Sequence, residues 1–254
     1  MHRFILYTLL FYLFTSLLPA ASIRSQVSLL EASENLKLKS QQIVVHYLVY
    51  HSNPKKFFYE KETAIQNLEG LDREFERIDR STKEEESQSI LMVLNENRTN
   101  IQELLKKPVN DENLETILQL SDTMLESASS LTKLLDFELL SEEAKMLIHL
   151  KNISFLIENM TKYYMVNHLQ ANQKNSEKLN HAISKMTHAL LVLNDYNFNR
   201  KNSIVLTQLN SYWEILKSYY QKDPKLKMEN IVLLTSREVQ KYAFLLEKYH
   251  SKEQ

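Results

Sequence analysis

The sequence predicts an all-α chain built as two tandem up-down four-helix bundles. Three observations lead there. The chain of 254 residues holds one glycine and four prolines, too few turn formers for sheets joined by hairpins. Apolar residues recur at three-four spacing in eight successive stretches, each marking one buried helix face. Local strings also recur at a near-constant shift: Tyr47 and Tyr164 are 117 apart, Ala64 and Ala182 are 118 apart, and Pro108 and Pro224 are 116 apart. The third and fourth helices align with the seventh and eighth at 114 to 115. Such a shift is the signature of a duplicated unit.

The helices follow in order. The first covers 26–51. Asn53-Pro54 supplies a cap and a first-turn proline for the second, with stripe Phe57, Ala64, Leu68, Leu71, Phe75 and Ile78. Thr82 and Glu85 fit a capping box at the start of the third, whose stripe is Ile90, Leu91, Leu94, Ile101 and Leu105. Pro108 and Asn110-Asp111 precede the fourth, with Ile117, Met124, Ala128, Leu131 and Leu135. The fifth runs over about 141–170 on Met146, Ile153, Leu156, Met160 and Tyr164. Asn175-Ser176 caps the sixth, with Leu179, Ile183, Met186, Leu190 and Leu193. Asn202-Ser203 caps the seventh, with Leu206, Leu209, Trp213, Leu216 and Tyr220. Asp223-Pro224 leads to the eighth, with Ile231, Val232, Val239, Tyr242 and Leu246. Neither Gly nor Pro falls within 112–170. The fourth and fifth helices therefore either merge into one long shared helix or break at Ser141-Glu142-Glu143, where serine caps and acids suit a helix start. The predicted domains are 23–140 and 141–254.

Residues 1–22 have the layout of a secretory signal peptide. Met1-His2-Arg3 is positive, 4–18 is apolar apart from Thr8, Thr15 and Ser16, and Pro19-Ala20-Ala21-Ser22 offers small residues for cleavage. The run is short for a spanning helix, which needs about 20 residues. The expectation is a periplasmic protein; an inner-membrane anchor formed by an uncleaved segment is the alternative. Absence of cysteine excludes disulfides, thiolate metal sites and a cysteine nucleophile, and fits a periplasmic chain better than a stapled secreted fold. A net charge of −1 offers nucleic acid no footprint.

Several strings resemble the PilJ-type domain, the N-terminal sensor region of type IV pili methyl-accepting chemotaxis transducers, which is similar to the periplasmic domain of nitrate/nitrite sensor kinases. They are Ser40-Gln41-Gln42-Ile43-Val44-Val45-His46-Tyr47-Leu48, then Asn53-Pro54, then Leu120-Ser121-Asp122-Thr123-Met124-Leu125-Glu126. In the second half Met160-Thr161-Lys162-Tyr163-Tyr164 and Tyr212-Trp213 fit the same template. The resemblance implies two degenerate copies and a sensory role. In the family the first helix reads close to G-R-Q-R-M-L-S-Q-R, and in the nitrate sensors an arginine there binds the anion across a dimer. Lys37 falls at that position and Ser40-Gln41 are kept, so these three are the candidate ligand-binding residues. Lysine keeps the charge but not the two-pronged donor. The resemblance further implies a small polar ligand or anion, a membrane receptor or envelope protein as partner, and a homodimer through the first helix.

No catalytic set, cofactor motif or metal site is expected. His181 and His188 share a helix face, and Glu247-x-x-His250 has a carboxylate-bridged iron spacing, but a di-iron bundle needs two such pairs and two further glutamates. The 13 tyrosines are read as core filling with hydroxyls at the rim. The sequons at Asn97, Asn152 and Asn159 fall inside helices and are read as coincidental. The expected function is a non-enzymatic sensory or ligand-binding accessory protein. A structural helical module of the envelope that binds no small ligand is the alternative.

Overall fold

The computed structural model describes residues 2–134, 140–170, 172–222, 226 and 228–251, with side chains from Gln26 onward. All regular structure among them is helical: α1 (His2–Ser52), α2 (Phe58–Ser81), α3 (Glu85–Lys106), α4 (Asp111–Lys133), α5 (Glu142–Leu169), α6 (Gln173–Asp195), α7 (Arg200–Tyr220) and α8 (Glu229–His250). Among the described residues no helix is long and apolar enough to cross a membrane. The signal-peptide reading falls on 1–22, whose side chains lie outside those described.

Helix starts follow from side chains that satisfy the orphan amides of the first turn. Asn110 accepts from the amide of Asn113, and Ser141 from that of Ala144. Helices α4 and α5 are thus separate elements, with the start of α5 at the serine expected. Elsewhere the sequence reading is corrected. Asn172 and Asn199, each three residues before the expected cap, accept from Lys174 N and Asn202 N, so α6 and α7 begin earlier. Asn53-Pro54 forms its own turn, with Asn53 Oδ1 accepting from Lys56 N, and α2 starts only at Phe58. The Thr82–Glu85 capping box does not form. Thr82 closes α2, its hydroxyl accepting from Glu84 N, and Glu84 stands at the N-cap of α3 without a side-chain cap bond. Asp223-Pro224 lies outside the described residues.

The outer helices bury one stripe each, as their spacing predicts. Among the expected members, Phe57, Ile90, Leu91 and Tyr242 are only half-buried against the core and Ile231 is exposed, while Leu135 lies outside the described residues. Helices α1 and α5 differ in kind. Between Leu29 and Val49, and through most of α5, buried side chains occur on nearly every face. Such helices belong in the interior. Helix α1 packs on α2, α4 and α5, and α5 packs on α1, α6 and α8; α3 and α7 complete the outer layer against α2 and α4, and against α6 and α8. One continuous core runs through both halves, from Leu36 and Ile43 of α1 to Trp213 of α7 and Leu246 of α8. A small second cluster joins Leu30 to Leu140, Ala144 and Ile148.

Side-chain pairs give the directions. Asn35 meets Lys151 and Gln42 meets Glu158, both 116 apart, while Gln41 meets Asn159, 118 apart. A near-constant difference means that α1 and α5 run parallel and in register. Neighbours of each central helix run antiparallel to it: Gln41 meets Ser121 and His51 meets Asp111 across α1 and α4, while Ser154 meets Glu247 and His168 meets Glu229 across α5 and α8. Polar pairs also cross between the outer helices. Asp72 bonds Arg98 across α2 and α3, and Asn194 bonds Asn210 across α6 and α7.

Aromatic side chains fill the core as expected: Tyr47, Tyr164, Trp213 and Tyr220 are buried. The rim placement of hydroxyls does not hold for Tyr220, whose hydroxyl is buried 2.8 Å from that of Thr161. Burial pushes the Tyr47 phenol up to about 12. Of the sequon asparagines, Asn97 and Asn159 are buried.

Candidate functional site

The three residues singled out by the sequence lie inside the protein. Ser40 and Gln41 are both fully buried (0%). Gln41 Nε2 donates to Ser40 Oγ (2.9 Å) and Ser121 Oγ (3.2 Å), and its Oε1 accepts from Asn159 (3.1 Å). Ser40 Oγ donates to the Lys37 carbonyl, and Ser121 Oγ to the Ser40 carbonyl. The result is a closed polar network tying α1, α4 and α5, in which each group finds a partner. Lys37 stands beside it, its ammonium donating to Glu34 Oε1 at 2.5 Å. The structure therefore brings Ser40 and Gln41 together and turns Lys37 onto a neighbouring carboxylate. On the same side of the α1–α5 seam, Asp122 of α4 holds the fully buried Lys162 of α5 (2.8 Å) and Lys178 of α6 (2.9 Å).

The opposite side of the seam is open. Between α2 and α8, above the two central helices, lies a cavity of about 480 Å³. Asn35, Glu74, Lys151 and Glu247 form one end, Leu38, Lys39 and Phe244 the middle, and Gln42, Arg237, Gln240 and Lys241 the other end. All four elements contribute, so each half of the chain supplies one wall. At the first end Lys151 Nζ donates to Asn35 Oδ1 (3.1 Å) and lies 3.7 Å from Glu247 Oε2, and Ser154 donates to Glu247 Oε1 (2.8 Å). Burial raises the Glu247 carboxyl against the pull of Lys151 and Ser154. Glu74 is engaged by Arg77, which also holds Glu31.

Lys39 projects between these ends. It makes no hydrogen bond or ion pair with any described residue. Burial lowers its affinity for the proton; Glu74 opposes this through space, and Arg73 and Lys151 add to it. Room for its head comes from the chain's single glycine. Gly70 lies in the middle of α2, where glycine costs about 1 kcal/mol relative to alanine, and its backbone does not need the left-handed region. A Cβ at position 70 would sit 2.8 Å from Lys39 Nζ. The glycine serves close approach, not chain reversal.

Beyond Gln42 the cavity meets a titratable cluster. His46 Nδ1 pairs with Glu60 Oε2, and Arg237 lies 3.5 Å from Glu60 Oε1. Gln240 Nε2 donates to Glu158 Oε1 at 2.6 Å, and Gln42 approaches the same oxygen at 3.5 Å. Burial raises both carboxyls. For Glu60 the bond and charge of His46, with Arg237 and Tyr59, outweigh it and hold the group low. For Glu158 burial wins, and the carboxyl is held up.

The remaining candidates part company. Glu247 faces the cavity, while His250 is buried against Tyr196, Phe198 and Tyr249. His181 and His188 are solvated. Among the described residues no three His, Asp or Glu side chains converge as metal ligands would. Sequence reasoning missed Lys39, Gly70, Gln240 and Phe244. A lone glycine within a helical stripe was the one available signal, since it marks a close approach. Compared with family models, with curated proteins and with solved structures, the chain matches none of them.

Proposed function

We propose that this chain is an exported, non-enzymatic ligand-binding accessory protein of the cell envelope, and that a small organic anion sits in the groove over the α1–α5 seam. The observation that carries the reading is Lys39: a partly buried ammonium without a described hydrogen-bond partner, seated against the one glycine of the sequence and aimed into a cavity of about 480 Å³. A partly buried ammonium that Glu74 reaches only through space is incompletely compensated, and an anionic ligand would supply the missing direct partner.

The finer architecture belongs to the same reading. The two halves, 23–140 and 141–254, are duplicated up-down four-helix units in the manner of the PilJ-type resemblance. That resemblance pairs two copies through their first helices. Here α5 stands beside α1 in parallel, and the pair is made within one polypeptide. A ligand touching α1 and α2 on one side and α5 and α8 on the other is sensitive to the spacing of the halves. That is a means of reporting occupancy to a membrane receptor or another envelope protein. Export rests on the 1–22 segment.

Thermal-shift screening of the purified chain against organic and inorganic anions tests the proposal. A ligand that prefers the folded state raises the melting temperature, by about 2.7 kcal/mol of added stability at a hundredfold excess over Kd. Lys39→Met should abolish the shift, and Lys37→Met should leave it. A panel without effect would favour the second reading, a rigid envelope module. The fully bonded network around Gln41 and the Asp122–Lys162 pair, both tying the halves together, speak for that reading.

A further inference from the structure

We infer that the groove takes a hydroxylated carboxylate, an acidic sugar of the uronate kind; the inference rests on the reading of Lys39 as an anion anchor. Its basis is the hydrogen-bonding capacity left open around the cavity among the described residues. Gln240 commits its amide nitrogen to Glu158 and keeps its oxygen open. Gln42 gives its nitrogen to the same carboxylate at 3.5 Å and likewise keeps its oxygen. Glu247 Oε1 accepts from Ser154, while its Oε2 lies 3.7 Å from Lys151, too far for a strong hydrogen bond. Asn35 spends its oxygen on Lys151 and keeps its amide nitrogen.

Beside the cations already engaged with carboxylates (Lys151, Arg237 and Lys241), the groove therefore presents one ammonium without a bonded partner, one amide donor, and open oxygens on Gln42, Gln240, Glu247 and Glu74. Phosphate, with at most one or two P–OH donors, has too few for these oxygens and no C–H face, and a plain dicarboxylate brings acceptors alone. Either would satisfy Lys39 but leave carboxamide oxygens facing acceptors and set a second anion against Glu247. A neutral sugar would satisfy the acceptors and leave the ammonium unpaired. A molecule with one carboxylate and several hydroxyls meets both demands, because hydroxyls donate to carboxamide and carboxylate oxygens and accept from amides. Phe244, 51% exposed in the middle of the wall, offers with Leu38 an apolar face for the C–H side of a pyranose ring. A volume of about 480 Å³ lies within the usual range for small-molecule sites of about 300–1,000 Å³.

Isothermal titration of the full chain with D-glucuronate, D-glucose, succinate and phosphate decides the matter. The expected result is glucuronate binding at least about tenfold tighter than the other three, the size of one charge-assisted hydrogen bond. Lys39→Met should weaken it about tenfold or more, and Gln240→Leu and Phe244→Ala by several-fold. Phe244 is half exposed, so its variant reports on the groove even where Lys39→Met perturbs folding. Succinate or phosphate binding as tightly as glucuronate, and sensitive to Lys39→Met, would overturn the sugar-acid inference and leave the anion reading standing. Glucose binding as tightly as glucuronate would overturn it too, as would glucuronate binding indifferent to both Lys39→Met and Phe244→Ala. Silence from every anion would remove the anion reading along with it.

Discussion

Arg237 and Asp122 occupy equivalent places in α8 and α4, and carry opposite charge. The two are 115 apart (237 − 122), the shift that also lays Ser121 on Ser236, Ala128 on Ala243 and Leu131 on Leu246, all buried. Each reaches across the α1–α5 seam to the flanking helix of the other half: Arg237 to Glu60 of α2 at 3.5 Å, Asp122 to Lys178 of α6 at 2.9 Å. Glu60 and Lys178 are in turn 118 apart and also opposite in charge. One cross-seam ion pair thus occurs twice, with its polarity exchanged.

The two copies differ in their worth to stability. Lys162 is fully buried (0%) and depends on Asp122, whose own side chain is 35% exposed. Asp122→Asn leaves that ammonium without a counter-charge and should cost about 2 kcal/mol, below the full penalty for a buried pair because Asp122 is partly solvated. Arg237→Ala breaks a looser contact at the surface, leaves Glu60 its His46 partner, and should cost under about 1 kcal/mol. Urea midpoints at unchanged slope measure both. Burial raises the Asp122 carboxyl, but Lys162 and Lys178 bring it below its ordinary value. Its contribution is therefore present above the unfolded value of about 3.9 and lost as pH falls through the folded one. The cost of Asp122→Asn should shrink in acid.

Glu158 predicts the opposite slope. In the unfolded chain a glutamate titrates near 4.3, while burial holds Glu158 above that in the fold. Between the two values the folded state keeps a proton that the unfolded chain has released. The favourable contribution is complete below the lower value and lost as pH rises through the upper. Glu158→Gln keeps the oxygen that accepts from Gln240 and removes the charge. It should raise the urea midpoint at pH 7.5, with the gain closing toward pH 4. A gain that is the same at both pH values would show that charge burial is not its source.

The fold was legible because its periodicity is strong, and α1 and α5 show where that reading stops. A stripe such as Leu179, Ile183, Met186, Leu190 and Leu193 states both that α6 is a helix and which side is buried. In α1 and α5 buried residues occur all round, so the sequence says only that they are interior. Their parallel pairing appears when Gln41 is found against Asn159. Caps were legible as a residue type and not as a position: asparagine starts both α6 and α7, but at Asn172 and Asn199, because another asparagine lay three residues on in each case. The site was misplaced for a related reason. Lys37 and Lys39 look alike in a sequence, and a helix turns about 100° per residue. Two positions along, the side chain passes from Glu34 to the cavity.

That separation has a direct consequence for Gln41. Its carboxamide joins Ser40, Ser121 and Asn159, all buried, so Gln41→Leu strands the amide of Asn159, while the Ser40 and Ser121 hydroxyls keep the carbonyls to which they donate. The expected cost is about 1–3 kcal/mol. Anion binding at Lys39 should survive in the variant that remains folded, since Gln41 lines the far side of the seam. A calorimetric titration of Gln41→Leu beside its urea curve reads both quantities. Loss of binding without loss of stability would return the site to Ser40 and Gln41.

Gly70 puts stability and binding in opposition. Glycine within α2 forgoes about 1 kcal/mol of helix propensity, and nothing in its backbone conformation requires it. The three atoms nearest an added methyl all belong to the Lys39 side chain, with Nζ at 2.8 Å and Cε at 3.5 Å. Nζ is the free end of a flexible chain and can swing aside at little cost. Gly70→Ala should therefore raise stability by as much as about 1 kcal/mol. The same methyl displaces the ammonium from its seat, so anion affinity should fall several-fold as the melting temperature climbs. A helix selected for stability alone would carry alanine here. If Gly70→Ala stabilises the chain and leaves binding untouched, the seat has no part in ligand recognition and Lys39 is a surface-seeking side chain.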